Sequence, residues 1–345
     1  MSENLSADRP PRIDYLDWLR ALAAGLVILG HSAGRLAPGG PIGVSVFFVL
    51  SGYLITTILL RDGMMTPGNM VRFIARRIAR IYPMYVFQIA VMAALLAAFR
   101  PDNYAVLRAA LPGLLFFTTE APQHIGVGIA VLWTLAVEFW FYLTFPLLLW
   151  GMLLTGRLLP CILAGIALSV AAKILGCGNE TVQYYDHFLI GSLCAGAIKL
   201  DRVPAVFASR WLFGAAFLGI IIVGEIPYPE SRGLGWFAES LSAATLTGIA
   251  IVAGNARPPP VALPWLAYLG RISYSTYLMH AVVLNAFVFY NNHLTLARLA
   301  LYLPIVLIVS SITYAAIEQP VIRLAHRRIR FSATRQRVPS PSAAG

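Results

Sequence analysis

The chain has 345 residues, 59% of them hydrophobic and 12% charged, with a formal net charge of +11. Soluble domains carry about 25% charged residues, so this balance excludes a soluble globular protein and reads as an all-α polytopic membrane protein. Three scattered cysteines, Cys161, Cys177 and Cys194, show neither metal spacing nor a disulfide framework.

At about twenty residues per span, the apolar runs predict ten membrane helices. They lie approximately at Tyr15–Gly34, Pro41–Leu60, Ile81–Phe99, Val131–Trp150, Leu154–Leu175, Tyr185–Leu200, Trp211–Gly224, Trp236–Gly254, Ile272–Tyr290 and Leu296–Ile317. With the N-terminus in the cytoplasm, 20 of the 26 Lys and Arg residues fall on the inner side, which is the positive-inside pattern. Both termini are then cytoplasmic, and the basic charge needs no nucleic acid. Residues 1–330 form one membrane domain, and the Ser-, Pro- and Ala-rich end, 331–345, reads as a disordered cytoplasmic tail. There is no convincing internal repeat, which weakens an inverted-repeat transporter reading.

The first run, D-Y-L-D-W-L-R-A-L-A-A-G-L-V-I-L-G-H, holds Arg20 and His31 inside apolar sequence. Their separation of about three turns places them within about 20° of one helical stripe, with Asp17 beside it. Ionisable groups in a bilayer are costly and face a protein interior, a water-filled cavity or a substrate path. Two readings stand: a structural ion pair with a hydrogen-bonded histidine, or a functional stripe. In the second run, Gly39, Gly40 and Gly43 let backbones approach, and Ser51 with Gly52 puts small residues deep in the span. Helix packing explains that face, as does a passage for a thin ligand.

Next, N-M-V-R-F-I-A-R-R-I-A-R-I, from Asn69 to Ile81, reads as an amphipathic helix lying on the cytoplasmic membrane surface. Its arginines, Arg72, Arg76, Arg77 and Arg80, suit anionic lipid or the phosphates of a donor such as an acyl-CoA, since guanidinium forks bind phosphate in bidentate fashion. The segment Tyr104–Thr119, broken by Pro112 and Gly113, is read as interfacial or re-entrant on the outer side. The fourth span opens W-T-L-A-V-E-F-W-F-Y, placing Glu138 in an apolar helix with Tyr142 one turn on. Counted from the outer boundary, Glu138 and His31 lie at similar depth, so the two are expected to meet as a carboxylate–imidazole pair. A structural network of Glu138 with Tyr142 is the alternative. His280, three residues after Tyr277 in R-I-S-Y-S-T-Y-L-M-H, is a weaker candidate in a polar seam. Ser51, Trp133, Tyr142, Tyr277 and His280 complete the substrate-binding candidates. No His-Glu-x-x-His, P-loop or Gly-x-Ser-x-Gly motif is present, so no metal is expected.

Taken in order, these strings resemble the acyltransferase 3 family of membrane-bound acyltransferases. The resemblance covers about Arg12 to Leu324. It rests on Arg20 and His31, G-G-P-I-G-V-S-V-F-F-V-L-S-G, R-R-I-A-R-I-Y-P, W-T-L-A-V-E, I-S-Y-S-T-Y-L-M-H and E-Q-P at Glu318 to Pro320. It implies ten membrane helices in the inner (plasma) membrane. The implied reaction moves an acyl group, often acetyl, from acyl-CoA to a hydroxyl of an envelope carbohydrate or similar acceptor. His31 takes the family's essential histidine position and Arg20 its paired arginine. Arg77 and Arg80 match the Arg-x-x-Arg motif, and Glu138 the acid of the Trp-Ser-Leu string, where Thr134 stands for Ser. The expected chemistry makes His31 a general base or an acyl acceptor, Arg20 and Glu138 its catalytic partners, and Arg72, Arg76, Arg77 and Arg80 the donor-phosphate site. Acyl-CoA is then a substrate, with no permanently bound cofactor. The rival readings are a proton-coupled transporter using Arg20, His31 and Glu138 as a relay, and a membrane scaffold with no turnover.

Overall fold

A computed structural model describes residues 14–33, 39–61, 64–117, 122–177, 184–226, 234–290 and 296–331. All regular elements among them are helical: α1 (Asp14–Ala33), α2 (Gly40–Leu59), α3 (Pro67–Phe99), α4 (Pro101–Leu115), α5 (Val127–Ala130), α6 (Trp133–Leu154), α7 (Leu158–Ile174), α8 (Tyr185–Lys199), α9 (Arg210–Gly224), α10 (Leu234–Ala256), α11 (Pro264–Arg271), α12 (Ser273–Tyr290), α13 (Leu296–Thr313), a π-helical segment (Tyr314–Glu318) and α14 (Gln319–Arg328). Each of the ten predicted segments coincides with one of these helices. Five stretches, Gly40–Leu59, Pro67–Phe99, Val127–Leu154, Phe237–Ala256 and Arg298–Arg328, are long and apolar enough to cross a membrane, and Leu158–Ile174 and Trp211–Gly224 are shorter apolar helices. Large apolar side chains such as Leu147, Leu154, Leu168, Trp211 and Ile308 are exposed. Their solvent is therefore lipid, because a water-facing apolar surface of this extent would associate.

Helix α2 is the axis of the molecule. One buried core joins it to α3, α6, α8 and α12 through Phe48, Ile55, Met84, Phe141, Phe188 and Leu278. A second joins its other side to α1, α9 and α10 through Leu19, Leu50, Phe213 and Ile251. The backbone approach anticipated from small residues is real. A Cβ on Gly52 would stand 2.0 Å from the Phe188 carbonyl oxygen of α8, and one on Gly43 would stand 2.4 Å from that of Ala23 in α1. At the far side a buried polar brace ties three helices together. Lys173 Nζ donates to both carboxylate oxygens of Asp186 at 2.7 and 2.8 Å. His187 joins Asp186 through Nδ1 at 2.8 Å and Ser240 Oγ through Nε2 at 3.1 Å.

Three sequence expectations change. The basic segment is not a separate surface helix. Capped by Thr66 and started by Pro67, it forms the first turns of the 33-residue α3, which runs through Pro83 without a break. Proline deletes one helical hydrogen bond, a loss tolerated in membrane bundles; two residues before it, Tyr274 Oη of α12 donates to the Ile81 carbonyl at 2.7 Å and ties the two helices together. Its faces are also turned around, with Val71 and Ile78 outward and the arginines half-buried. The last helix likewise does not stop at Ile317. A π-helical turn, Tyr314–Glu318, carries it directly into α14, with Pro320 in the turn that follows. Finally, Phe331, assigned to the tail, packs over the Arg76 guanidinium at 4.1 Å; residues 332–345 lie outside the described residues.

The re-entrant reading of Tyr104–Thr119 fits the geometry, although Thr118 and Thr119 lie outside the described residues. The chain reverses at Arg100, and α4 runs back along α3, so that Tyr85 Oη reaches the Leu114 carbonyl at 2.9 Å. It then returns, because Asn103 Nδ2 donates to the Ile125 carbonyl at 3.4 Å. The excursion enters and leaves at the same end of α3.

Candidate active site

A cavity of about 1620 Å³ runs along α2 between α3, α6, α12 and α14. On α2 its lining extends from Val44 through Ser51 to Ile58, about 21 Å at 1.5 Å per residue, and Arg61 follows just past the helix end. The α3 face supplies Arg76, Arg77 and Arg80, and α1 supplies Arg20. All four come from sequence segments already singled out. Arg72, the other arginine of that segment, does not line the cavity and donates instead to Asn69 Oδ1 at 3.1 Å.

The deep part of the cavity is charge-balanced by the chain itself. Arg20 Nη1 donates to Asp17 Oδ1 at 2.8 Å, the pairing its spacing suggested. Glu138 accepts from Ser51 Oγ at 2.5 Å and from Tyr142 Oη. Arg77 and Arg80 lie in the field of Glu138, and Arg80 also in that of Glu318. Glu318, buried in the π-helical turn, accepts from Ser275 Oγ at 2.7 Å. Sequence reasoning quoted Glu318 only as part of a string. Its signal was a lone carboxylate at the end of an apolar run, and π-helical turns recur at functional sites.

At the inner end the cavity closes on Thr134 and Tyr277. Tyr277 Oη lies 2.8 Å from Thr134 Oγ1 and donates to the Val131 carbonyl at 3.0 Å. Three residues on, buried His280 places Nε2 3.4 Å from His31 Nδ1. His31 Nδ1 is also 2.9 Å from the Val27 carbonyl, which can only accept, so Nδ1 carries the proton. His280 Nδ1 donates in the same way to the Thr276 carbonyl at 3.3 Å, leaving its Nε2 as acceptor toward His31. By elimination, the Nε2 of the exposed His31 has a free lone pair, the form required of a general base.

The expected meeting of His31 with Glu138 does not occur. The face of α6 that carries Glu138 turns toward Ser51, and Thr134, one turn away, takes the contact with Tyr277. Sequence distance places both on the same side of the span, but azimuth decides contact: Tyr277 meets Thr134, and His280 meets His31. Trp133 is not in the cavity lining; it sits in an aromatic cluster with Phe48 and Tyr184, ring centroids 6.2 and 5.2 Å apart. Ser51, Tyr142 and Tyr277 do line the cavity, whereas His280 lies just past its inner end, against His31. Sequence reasoning also missed the mouth, where α14 contributes Arg323, His326 and Arg327 and the chain just after it contributes Arg330. Among the described residues, no cluster of three or more His, Cys, Asp or Glu side chains could hold a metal ion.

A family model described as an acyltransferase domain matches residues 13–315. The O-acetyltransferase OatA of Staphylococcus aureus (strain NCTC 8325 / PS 47) is 24% identical over 360 residues, covering 93% of this chain and 59% of OatA. The chain thus spans little more than half the length of that relative. The exopolysaccharide production protein ExoZ of Rhizobium meliloti (strain 1021) is 28% identical over 304 residues, covering 84% of this chain and 92% of ExoZ. No solved structure matches.

Proposed function

The chain belongs to the acyltransferase 3 family, and from that premise we propose that it transfers an acyl group, acetyl in the first instance, from cytoplasmic acyl-CoA to a hydroxyl of a cell-envelope carbohydrate. It does so from the inner (plasma) membrane. The reading rests on one observation above the rest: an arginine-lined cavity ends at Tyr277, one helical turn from the His280–His31 pair. The names of the relatives, an O-acetyltransferase and an exopolysaccharide production protein, support the acyl group and the carbohydrate acceptor.

In this reading the donor's phosphates stay with the arginines and its thioester extends to Thr134 and Tyr277. The Tyr277 ring swings aside to bring the carbonyl to His31. His31 Nε2 takes the proton of the acceptor hydroxyl as its oxygen attacks the thioester carbon. Collapse of the tetrahedral intermediate breaks the carbon–sulfur bond, and the imidazolium returns the proton to the departing thiolate. Arg20 and Glu138 act inside the donor cavity, where they orient arginines and ligand.

The test is mass spectrometry of envelope glycans from cells carrying the wild-type chain, the His31→Ala variant, or neither. Loss of a positioned general base costs about 10²- to 10⁴-fold. The acyl mass should therefore vanish with His31→Ala, while membrane insertion and acyl-CoA binding persist. Near wild-type acylation by His31→Ala would overturn the mechanism. Proton-coupled uptake into vesicles without acyl-CoA would favour a transporter instead.

A further inference from the structure

The arginines of the cavity fall into two tiers. The inner tier, Arg20, Arg77 and Arg80, is offset by Asp17, Glu138 and Glu318. The mouth is lined by Arg61, Arg76, Arg323, Arg327 and Arg330, and among the described residues Glu138, far below, is the one acidic side chain of the lining. Arg76 is committed: its Nε donates to the Ile329 carbonyl at 2.8 Å, and Phe331 covers its plane. That contact fixes the end of α14 over the opening. Among the described residues, Arg61, Arg323, Arg327 and Arg330 have no ion pair or side-chain hydrogen bond. Four uncompensated guanidinium groups converge on one opening and repel each other unless an anion joins them.

A diphosphate bridge carries one charge per phosphorus. A phosphate monoester carries about −1.5 to −2 at neutral pH and offers three strong acceptor oxygens, which several guanidinium forks can share. We propose that the mouth tier, led by Arg323 and Arg327 of α14, is a subsite for the 3′-phosphate monoester of the donor nucleotide. On that basis the enzyme selects 3′-phosphorylated CoA thioesters over their dephospho forms. The proposal rests on the acyl-CoA reading of the cavity. It gives α14 a specificity role that the inner Arg77 and Arg80 do not share, because those side chains already lie in the field of the chain's own Glu138 and, for Arg80, of Glu318.

The test uses the full-length protein in nanodiscs of zwitterionic lipid. Calorimetry compares acetyl-CoA with 3′-dephospho-acetyl-CoA for wild type, the Arg323→Gln/Arg327→Gln double variant, and Arg328→Gln. Arg328 is an exposed arginine of the same helix that is absent from the cavity lining. Wild type and Arg328→Gln should prefer the 3′-phosphorylated ligand by about 10- to 100-fold, the scale of one lost charged hydrogen bond. The double variant should bring that ratio near one, while continued binding of the dephospho ligand reports an intact cavity. Equal wild-type affinities, or a ratio unchanged in the double variant, overturn the subsite alone. Binding of neither ligand by wild type overturns the donor reading and the subsite together. If the two arginines serve anionic lipid headgroups instead, the double variant carries less co-purifying anionic lipid, its ligand ratio is unchanged, and the subsite is refuted.

Discussion

His31 offers a free Nε2 because the carbonyl of Val27, one turn back on its own helix, holds Nδ1. This local arrangement needs no carboxylate, and it separates two residues that the sequence had joined. Glu138 is tied to Ser51 and Tyr142 on the donor side of Tyr277. Glu138→Gln keeps the shape and accepts the same hydroxyls but removes the charge that balances Arg77 and Arg80. It should change the KM for acyl-CoA while leaving unmoved the limb of the pH–rate profile set by the His31 imidazole. A shifted limb would show that Glu138 and the imidazole are electrostatically coupled, contrary to their separation in the structure. That Arg20 and Glu138 share a polar interior was legible in the sequence, since ionisable groups in apolar runs face a protein interior or a cavity. Which of them touch was not. Residue spacing gives depth along a helix, whereas contact between helices depends on how each is rotated, and Tyr277 appeared only as a neighbour of His280.

Helices were easier to read than their faces. The ten apolar runs all fall on helices, five stretches of the described residues being long and apolar enough to cross a membrane, yet the basic segment of α3 was assigned to the membrane surface. A periodic pattern identifies two faces without saying which one meets protein. In the structure Arg76, Arg77 and Arg80 of α3 turn inward because α1, α2 and α14 enclose a polar cavity there, and Val71 and Ile78 take the outside. The small-residue face of α2 was read with more success. Gly52 meets the backbone of α8 so closely that a methyl group would overlap the Phe188 carbonyl. Gly52→Ala should therefore force α2 and α8 apart and cost about 1–3 kcal/mol, the usual penalty of overpacking. Thermal unfolding in detergent measures this as a lower Tm. Ser51, one residue away, would shift relative to Glu138, so acyl transfer should fall as well. A variant with unchanged Tm would mean that the two helices have slack at this point.

At the scale of the whole molecule, a charge rule and a cavity agree on which residues share a side. Arg61, Arg76, Arg323, Arg327 and Arg330 were all assigned to the cytoplasm by counting charges, and the same five residues converge on one cavity mouth. Convergence fixes their relation to each other, and orientation in the membrane is the remaining step. On the proposed reading a cytoplasmic acyl-CoA enters by that mouth, so the mouth should face inward. The opposite end is marked by Asn103, which meets the returning chain at Ile125. Because α4 runs back along α3 and the chain rejoins the same end, this excursion does not invert the helices after it. Single cysteines introduced at Arg61, Arg330 and Asn103 in a cysteine-free background decide the matter with a membrane-impermeant maleimide. Asn103→Cys should label in intact cells, or in spheroplasts where an outer barrier exists. Arg61→Cys and Arg330→Cys should label only after the membrane is opened. If Arg330→Cys labels from outside while Arg61→Cys does not, the two walls of the mouth lie on opposite faces, and the shared cavity is lost. If all three patterns reverse together, the cavity stands but opens away from the cytoplasm, and a cytoplasmic acyl-CoA cannot be the donor.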